Sequence, residues 1–363
     1  MSHAFTSAER QRYRRHLQLP EIGEAGQARL HAARVLVVGA GGLGCPILQY
    51  LAAAGVGTLG LADADKVELT NLPRQILYGP DDVGQPKVEA AARTLRRLNN
   101  LVHYELHSLR VSPANVRALV QAYDVVVDGS DNFPTRYLLN DACVSVGRPL
   151  VSGAIYKFEG QVSVFNYEGG PSYRCLFPEP PSAAEAPDCN TTGVLNVLPG
   201  LVGTVQATET LKVLLNLGEV LSGRLWLLDT LSFQTRTLRF HRDVTQATIN
   251  LDTANPADYV DTSCAPVPAG NELSVSELRS LLAAHTPPLL LDVRNPLEYA
   301  RRHLPGAVLL PLPELPARAA EVPRQGPVVL YCQSGVRSRQ ALELLRGLGY
   351  DNVRTLSGGL EEW

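Results

Sequence analysis

Residues 34–44 read RVLVVGAGGLG, and the reading of this stretch decides the fold. Residues 34–38 are a short, β-branched apolar run, and the glycines follow at once as Gly39-x-Gly41-x-x-Gly44. An apolar helix continues to about Ala54. Strand, glycine turn and helix in that order let backbone N–H groups approach a phosphate at the helix N-terminus. Asp63 ends a second strand over 58–63, where a carboxylate can accept hydrogen bonds from a ribose. Alone, the loop says only "nucleotide", with NAD its commonest ligand, and a glycine turn can also serve tight packing.

Outward from the loop, further strands are predicted at 123–128, 149–153 and 160–165, with helices at 87–99 and 199–217 and a hairpin near 224–240. Residues 7–33 read as polar and helical. Strands alternating with helices predict an α/β domain built on a doubly wound parallel sheet. Residues 168–192 hold five prolines and little periodicity, which predicts a long loop of the kind that is usually functional or mobile. Residues 243–270 lose periodicity and read as a linker. A second, smaller α/β pattern fills 271–363, with strands near 288–292 and 327–331 and a helix over 336–347.

Composition narrows the function classes. A chain of 363 residues suggests two or three domains, and 45% hydrophobic against 19% charged residues supplies a sizeable core. With 33 Lys+Arg against 36 Asp+Glu, the net charge of −3 argues against nucleic acid and anionic membranes as partners. The longest apolar stretch, 194–217, carries Asn196, Gln206, Glu209 and Lys212, so no membrane-spanning helix is expected. MSHAFTSAERQRYRRH has no apolar run after its basic residues, so no secretory signal is read and the expected address is cytoplasmic. Six cysteines in this length are not a disulfide scaffold.

Polar residues at successive strand ends change the reading of the glycine loop. Asn71, Arg74 and Gln75 lie in TNLPRQ, Lys87 in GQPK, and Asp131 and Asn132 in DGSDN. Two cations and a carboxylate near a ribose-binding acid suit a triphosphate with Mg²⁺, whereas a dehydrogenase has no β- and γ-phosphates to neutralise. Each could be a solvated surface group by itself. Together they converge on the carboxyl edge of the sheet.

GAGGLGC, LADADKVELTNLPRQILY, VGQPK, DGSDN and VSGAIYKFEGQVSVF resemble the adenylating domain of the MoeB/ThiF family, relatives of ubiquitin-activating E1 enzymes. The resemblance covers about residues 7–242 and implies a Rossmann-like, E1-type domain over 1–242. It implies ATP-dependent adenylation of the C-terminal glycine of a ubiquitin-like sulfur carrier ending in Gly-Gly. Gly42 would then lie under the phosphates and Asp63 would bind ribose. Asn71, Arg74 and Lys87 would contact ATP, and Asp131 would organise Mg²⁺. Arg15 in RYRRH matches the arginine that reaches into a partner subunit's nucleotide site, which implies a homodimer.

One feature departs from that family. Its structural zinc is often held by two CxxC pairs, but the first pair here is SYRC, with Ser172 in place of one Cys and only Cys175 left. After Arg242 the chain reads VTQATINL where the second pair is expected, and Cys264 stands later and alone. A closed Cys₄ site needs four thiolates, which the chain does not supply at those spacings, so no structural zinc is expected.

The remaining cysteines divide by context. Cys45 and Cys143 sit in apolar helical stretches and read as core. Cys189, in PDCNTTGVL at the end of the proline-rich loop, corresponds to the family's crossover-loop cysteine, which can form a thioester or acyl-disulfide; the alternative is a bystander. Cys332 follows the strand PVVLY and opens Cys332-Gln333-Ser334-Gly335-Val336-Arg337-Ser338 before a helix. Successive N–H groups at a helix N-terminus form an anion nest that suits a bound sulfur, and Arg337 adds charge. With LLDVRNPLEYARRHLPGAVLLPL upstream and LSGGLEEW downstream, residues 271–363 resemble a rhodanese domain. Related phosphatases use Cys-x5-Arg; the Cys-x4-Arg here fits a sulfane sulfur better.

The combination resembles MoeZ-like MoeB–rhodanese fusions. It implies adenylation of a carrier, attack by a Cys332 persulfide, and release of a C-terminal thiocarboxylate by Cys189 or an external reductant. The sulfur donor would be a cysteine desulfurase or thiosulfate. Two alternatives stay open from the residues: a dinucleotide-dependent oxidoreductase, and a non-catalytic carrier-binding module.

Overall fold

The computed structural model describes residues 4–181, 193–259, 270–284 and 286–363. They form two units, Met1–Tyr259 and Val260–Trp363.

The first unit is built on one sheet of eight strands: β1 (Arg34–Val38), β2 (Thr58–Ala62), β3 (His103–His107), β4 (Val125–Asp128), β5 (Leu150–Tyr156), β6 (Glu159–Phe165), β7 (Arg224–Asp229) and β8 (Gln234–Arg239). Their order is β3-β2-β1-β4-β5-β6-β7-β8. The pairings from β3 to β5 are parallel and those from β5 to β8 antiparallel. The chain order reverses between β1 and β4, and the crevice outside their carboxyl ends is where such sheets bind ligands. Strand β1 explains the two layers. Val35 and Val37 pack into one core with Leu48, Leu51 and Val202, while Leu36 and Val38 pack into the other with Val120, Leu138 and Cys143. Each such fully buried side chain contributes about 1.5–3 kcal/mol.

The amino-terminal segment is not one helix. It breaks into α1 (Ser7–Arg12), α2 (Arg14–Leu17) and α3 (Gly23–Ala32). The ring of Tyr13 lies against Gly55, which follows α4 (Gly44–Ala54), and its hydroxyl accepts from Asn99 Nδ2 at 2.9 Å.

The reading of 243–270 as linker is corrected at its start, because 243–259 folds onto the first unit. Buried Arg174 donates to Asp141 Oδ2 (2.7 Å) and to Asp258 Oδ2 (2.8 Å), and the Tyr259 hydroxyl donates to Asp141 Oδ2 (2.8 Å). Leu251 N–H adds a bond to Asp141 O at 3.1 Å. Periodicity is absent there because side chains, not a helix face, fasten the segment.

The second unit holds five parallel strands in the order β11-β10-β12-β13-β9. They are β9 (Glu272–Leu273), β10 (Leu289–Asp292), β11 (Val308–Leu309), β12 (Val328–Tyr331) and β13 (Val353–Leu356). The helix Val336–Gly347 starts just beyond β12. No helix among the described residues is long and apolar enough to cross a membrane.

Candidate active sites

Backbone dictates the glycine loop. Gly39 has φ +92°, and a Cβ there would lie 2.6 Å from Gly129 O, on the loop leaving β4. A Cβ on Gly44 would collide with Gly39 O, so α4 can start only with glycine at that position. Asp63 braces the turn by accepting from Ala40 N at 2.8 Å, and its other oxygen accepts from Asp65 N at 2.8 Å. Tyr78 pins the same turn from below, donating to Ala40 O at 2.7 Å.

The predicted ATP residues gather round this loop. Gln75 Nε2 lies 3.7 Å from where a Gly41 Cβ would stand, and Arg74 Cγ 3.8 Å from a Gly42 Cβ. Gln75 is buried, and its Oε1 has no hydrogen-bond partner. Lys87 is buried too and donates to Asp65 Oδ2 at 2.9 Å. Burial opposes its charge, but Asp63, Asp65 and Asp131 outweigh that and hold its pKa above the ordinary value. Burial conversely pushes the Asp63 carboxyl up, against the pull of Lys87 and the two N–H donors. Asn71 and Asn132 have backbone duties: Asn71 Oδ1 accepts from Glu68 N (3.1 Å), and Asn132 Oδ1 caps the helix Phe133–Val146 through Thr135 N (2.9 Å). Asp131 is exposed and makes no ion pair among the described residues.

Arg15 does not join this group. Tyr13 sits against Gly55, and His16 bonds Gln27, which donates to Ala54 O. Tyr13 and His16, which bracket Arg14 and Arg15, are thus anchored at the C-terminal end of α4, about 16 Å from the glycine loop at its N-terminal end. Arg15 itself is exposed.

A buried polar network beneath the site escaped the sequence reading. The Asp128 carboxylate accepts from Ser130 N (3.0 Å), Ser130 Oγ (2.6 Å), Ser152 Oγ (2.9 Å) and Arg136 Nε (3.1 Å). Arg136 also reaches Gly153 O at 3.2 Å, and Gln206 Nε2 donates to Asp128 O at 2.7 Å. The loop that presents Asp131 is therefore held by a buried ion pair whose carboxylate accepts hydrogen bonds on both oxygens, the arrangement that makes such a pair tolerable.

In the second unit Cys332 is buried at the end of β12, and its Sγ accepts from Gly335 N at 3.2 Å. Leu360 N donates to Cys332 O at 2.9 Å, which ties the glycines of LSGGLEEW to the loop. Arg337 does not donate to the thiol; its two terminal nitrogens fork onto Glu298 at 2.7 Å each. Arg294, also missed, is buried in a bidentate pair with Asp292 and donates to Gln333 Oε1 at 3.2 Å.

Cys45 and Cys143 are core, as read; burial pushes the Cys45 thiol up to about 12 and raises Cys143 as well. Cys175 Sγ lies 3.5 Å from both Ser172 Oγ and Asp243 O. Cys189 and Cys264 lie outside the described residues.

Two family descriptions match the chain: ThiF family over residues 13–248 and rhodanese-like domain over 274–363. It is 42% identical to the probable adenylyltransferase/sulfurtransferase MoeZ of Mycobacterium tuberculosis, over 99% of this chain and 94% of that one. The chain belongs to the ThiF family. It carries a C-terminal rhodanese-like domain and is an adenylyltransferase and sulfurtransferase. Identity to the adenylyltransferase and sulfurtransferase MOCS3 of Bos taurus is also 42%, covering 99% of this chain and 86% of that one. Among solved structures, E. coli MccB with MccA-N7isoASN shares the ThiF-type fold, with TM-score 0.59 and 21% identity over 68% of this chain and 76% of that chain. As an adenylyltransferase of this family the chain uses ATP.

Proposed function

We propose that the first unit adenylates the C-terminal glycine of a ubiquitin-like sulfur carrier and that Cys332 then supplies the sulfur. The observation that carries this reading is the convergence of Asp63, Arg74, Gln75 and Lys87 on the glycine loop. Gly39, Gly41, Gly42 and Gly44 admit the phosphates; Asp63 takes the ribose; Asn71, Arg74, Gln75, Lys87 and Asn132 complete the pocket. The exposed Asp131 carboxylate is a hard oxygen donor suited to Mg²⁺, which when bound would neutralise phosphate charge. The carrier carboxylate attacks the α-phosphorus, the bond to the β-phosphate oxygen breaks, and pyrophosphate leaves. Arg74 and Lys87 hold the charge that develops, and positioning does most of the work.

The exposed location of Arg15, away from its own glycine loop, supports a homodimer in which Arg15 serves the partner subunit's nucleotide. Two hairpin tips support a protein substrate. β5 and β7 end at the same edge as β1 and β4, and Tyr156 at the end of β5 and Phe158, Leu231 and Phe233 in the turns beyond are exposed, the last two by more than 70%. Apolar groups beside the nucleotide edge give a carrier somewhere to dock.

The terminal sulfur of a Cys332 persulfide attacks the acyl carbon and AMP leaves. A second thiol then attacks Sγ of Cys332, releasing the thiocarboxylate and leaving a disulfide for an external reductant. Cys189 is the internal candidate. The sulfur donor is a cysteine desulfurase or thiosulfate, the setting cytoplasmic, and no structural zinc is required.

The test is capture of a small Gly-Gly protein followed by intact mass spectrometry. With ATP and thiosulfate its mass should rise by the replacement of one oxygen by sulfur. Cys189→Ala should slow that gain, with dithiothreitol restoring part of it. No mass gain with the parent chain would sink the carrier assignment; a parental rate in Cys189→Ala without reductant would remove Cys189 from the mechanism.

A further inference from the structure

The persulfide loop contains a cation that is held back from the sulfur it was expected to serve. Among the described residues Cys332 Sγ receives one hydrogen bond, from Gly335 N. Arg337 spends Nη1 on Glu298 Oε2 and Nη2 on Glu298 Oε1, both at 2.7 Å. Glu298 is itself fixed. It lies in the helix Pro296–Arg301, whose N-cap Asn295 accepts from Glu298 N at 2.9 Å and donates its own N–H to Oε2 at 3.1 Å. The Glu298 and Arg337 side chains are only 27% and 14% exposed, so water competes weakly for the fork. The bonds from Arg337 hold the Glu298 carboxyl below the usual range despite burial, with the Asn295 N–H and the charges of Arg337 and Arg294 assisting. Glu298 is therefore ionised at neutral pH.

Sulfur chemistry gives this restraint a purpose. In loading, the Cys332 thiolate attacks the outer sulfur of the donor. The donor S–S bond breaks and its leaving group departs with the electron pair, as sulfite in the case of thiosulfate. Cys332 now ends in an anionic sulfur. A free guanidinium would donate charge-assisted bonds to that sulfur. Such bonds withdraw electron density, making the sulfur a poorer nucleophile and a better electrophile. We propose that Glu298 is a positioning residue that holds Arg337 off the terminal sulfur and thereby keeps the loaded sulfur nucleophilic. This rests on Cys332 being the sulfur-carrying residue.

Two reagents read the two properties separately in the full chain loaded with thiosulfate and freed of sulfite. Iodoacetamide is attacked by the terminal sulfur, iodide leaves, and peptide mapping finds the capped Cys332 persulfide. Cyanide instead attacks the terminal sulfur; the S–S bond breaks, thiocyanate forms and the Cys332 thiolate is regenerated. Glu298→Gln should slow alkylation about tenfold or more, the scale for one hydrogen bond to a charged group, while cyanide discharge holds or accelerates. Glu298→Gln combined with Arg337→Gln should return alkylation toward the parental rate. A parallel fall in both reactions without recovery in the double variant would make Glu298 a structural brace, and unchanged alkylation would mean that Arg337 needs no restraint; either overturns the proposal. Should Glu298→Gln not fold, Glu298→Asp must show the same split in smaller measure, and Arg337→Gln alone must not slow alkylation. A parent chain that never loads at Cys332 would instead refute the assignment of that cysteine.

Discussion

The two candidate sites are assembled in opposite ways. The persulfide loop is local: Cys332, Gly335 and Arg337 are near neighbours in sequence, and one backbone N–H already points at the thiol. The nucleotide site is collected from the ends of β1, β2 and β4 and braced beneath by Asp128, Arg136, Ser152 and Gln206. A local nest can be identified from seven consecutive letters. A collected site is recognisable only once several separated motifs agree, and its supporting pair is invisible until the fold is known.

That contrast is sharpest in reciprocal variants, where the largest effects are expected. Cys332→Ala should abolish thiosulfate:cyanide sulfurtransferase activity and leave carrier-dependent ATP–pyrophosphate exchange intact. Asp131→Ala should lower that exchange about 100-fold or more, the scale for losing a charge-stabilising group, and leave thiosulfate:cyanide turnover unchanged. Exchange that ignores Asp131→Ala would break the nucleotide-site assignment without touching the persulfide site.

The same contrast explains which parts of the molecule were legible. Strand β1 and its glycine loop were, because strand buried on both faces must be an unbroken apolar run. Strand β3, HYELH, was not: it is an edge strand in which only Tyr104 is buried and Leu106 is exposed, so its five residues carry neither an apolar run nor an alternation. The two-residue strands β9 and β11 are too short for any periodicity. Cys332 and its loop were readable from spacing, yet Glu298 was not singled out, since nothing in a helix sequence says which exposed-looking glutamate folds onto an arginine 39 positions away. Arg136 was missed for the same reason.

A moderate effect is expected where local and collected structure meet, at the end of the first unit. Asp258→Asn removes one of two carboxylates from buried Arg174, and Tyr259→Phe removes a donor to Asp141. Each should cost about 1–2 kcal/mol, seen as a lower denaturation midpoint of the first unit, with thiosulfate:cyanide activity unaltered. An unchanged midpoint in both variants would return 243–259 to the status of a linker.

The smallest expected effect is none. Dialysis against a strong zinc chelator should leave the melting temperature and both partial activities unchanged, and metal analysis should find well under one zinc per chain. The donor set gives the reason. Ser172 is buried and donates to Gln246 O at 3.4 Å, and Cys175 is spent on Ser172 and the Asp243 carbonyl. A hydroxyl and one thiol are a poor set for zinc, which in structural sites takes four Cys or His ligands. What a metal would do there, fastening the residues after β8 to those after β6, is done by Arg174, Asp141, Asp258 and Tyr259. Stoichiometric zinc would mean that Cys175 recruits Cys189, Cys264 or another donor, and the clasp would then be an addition to a metal site and not its replacement.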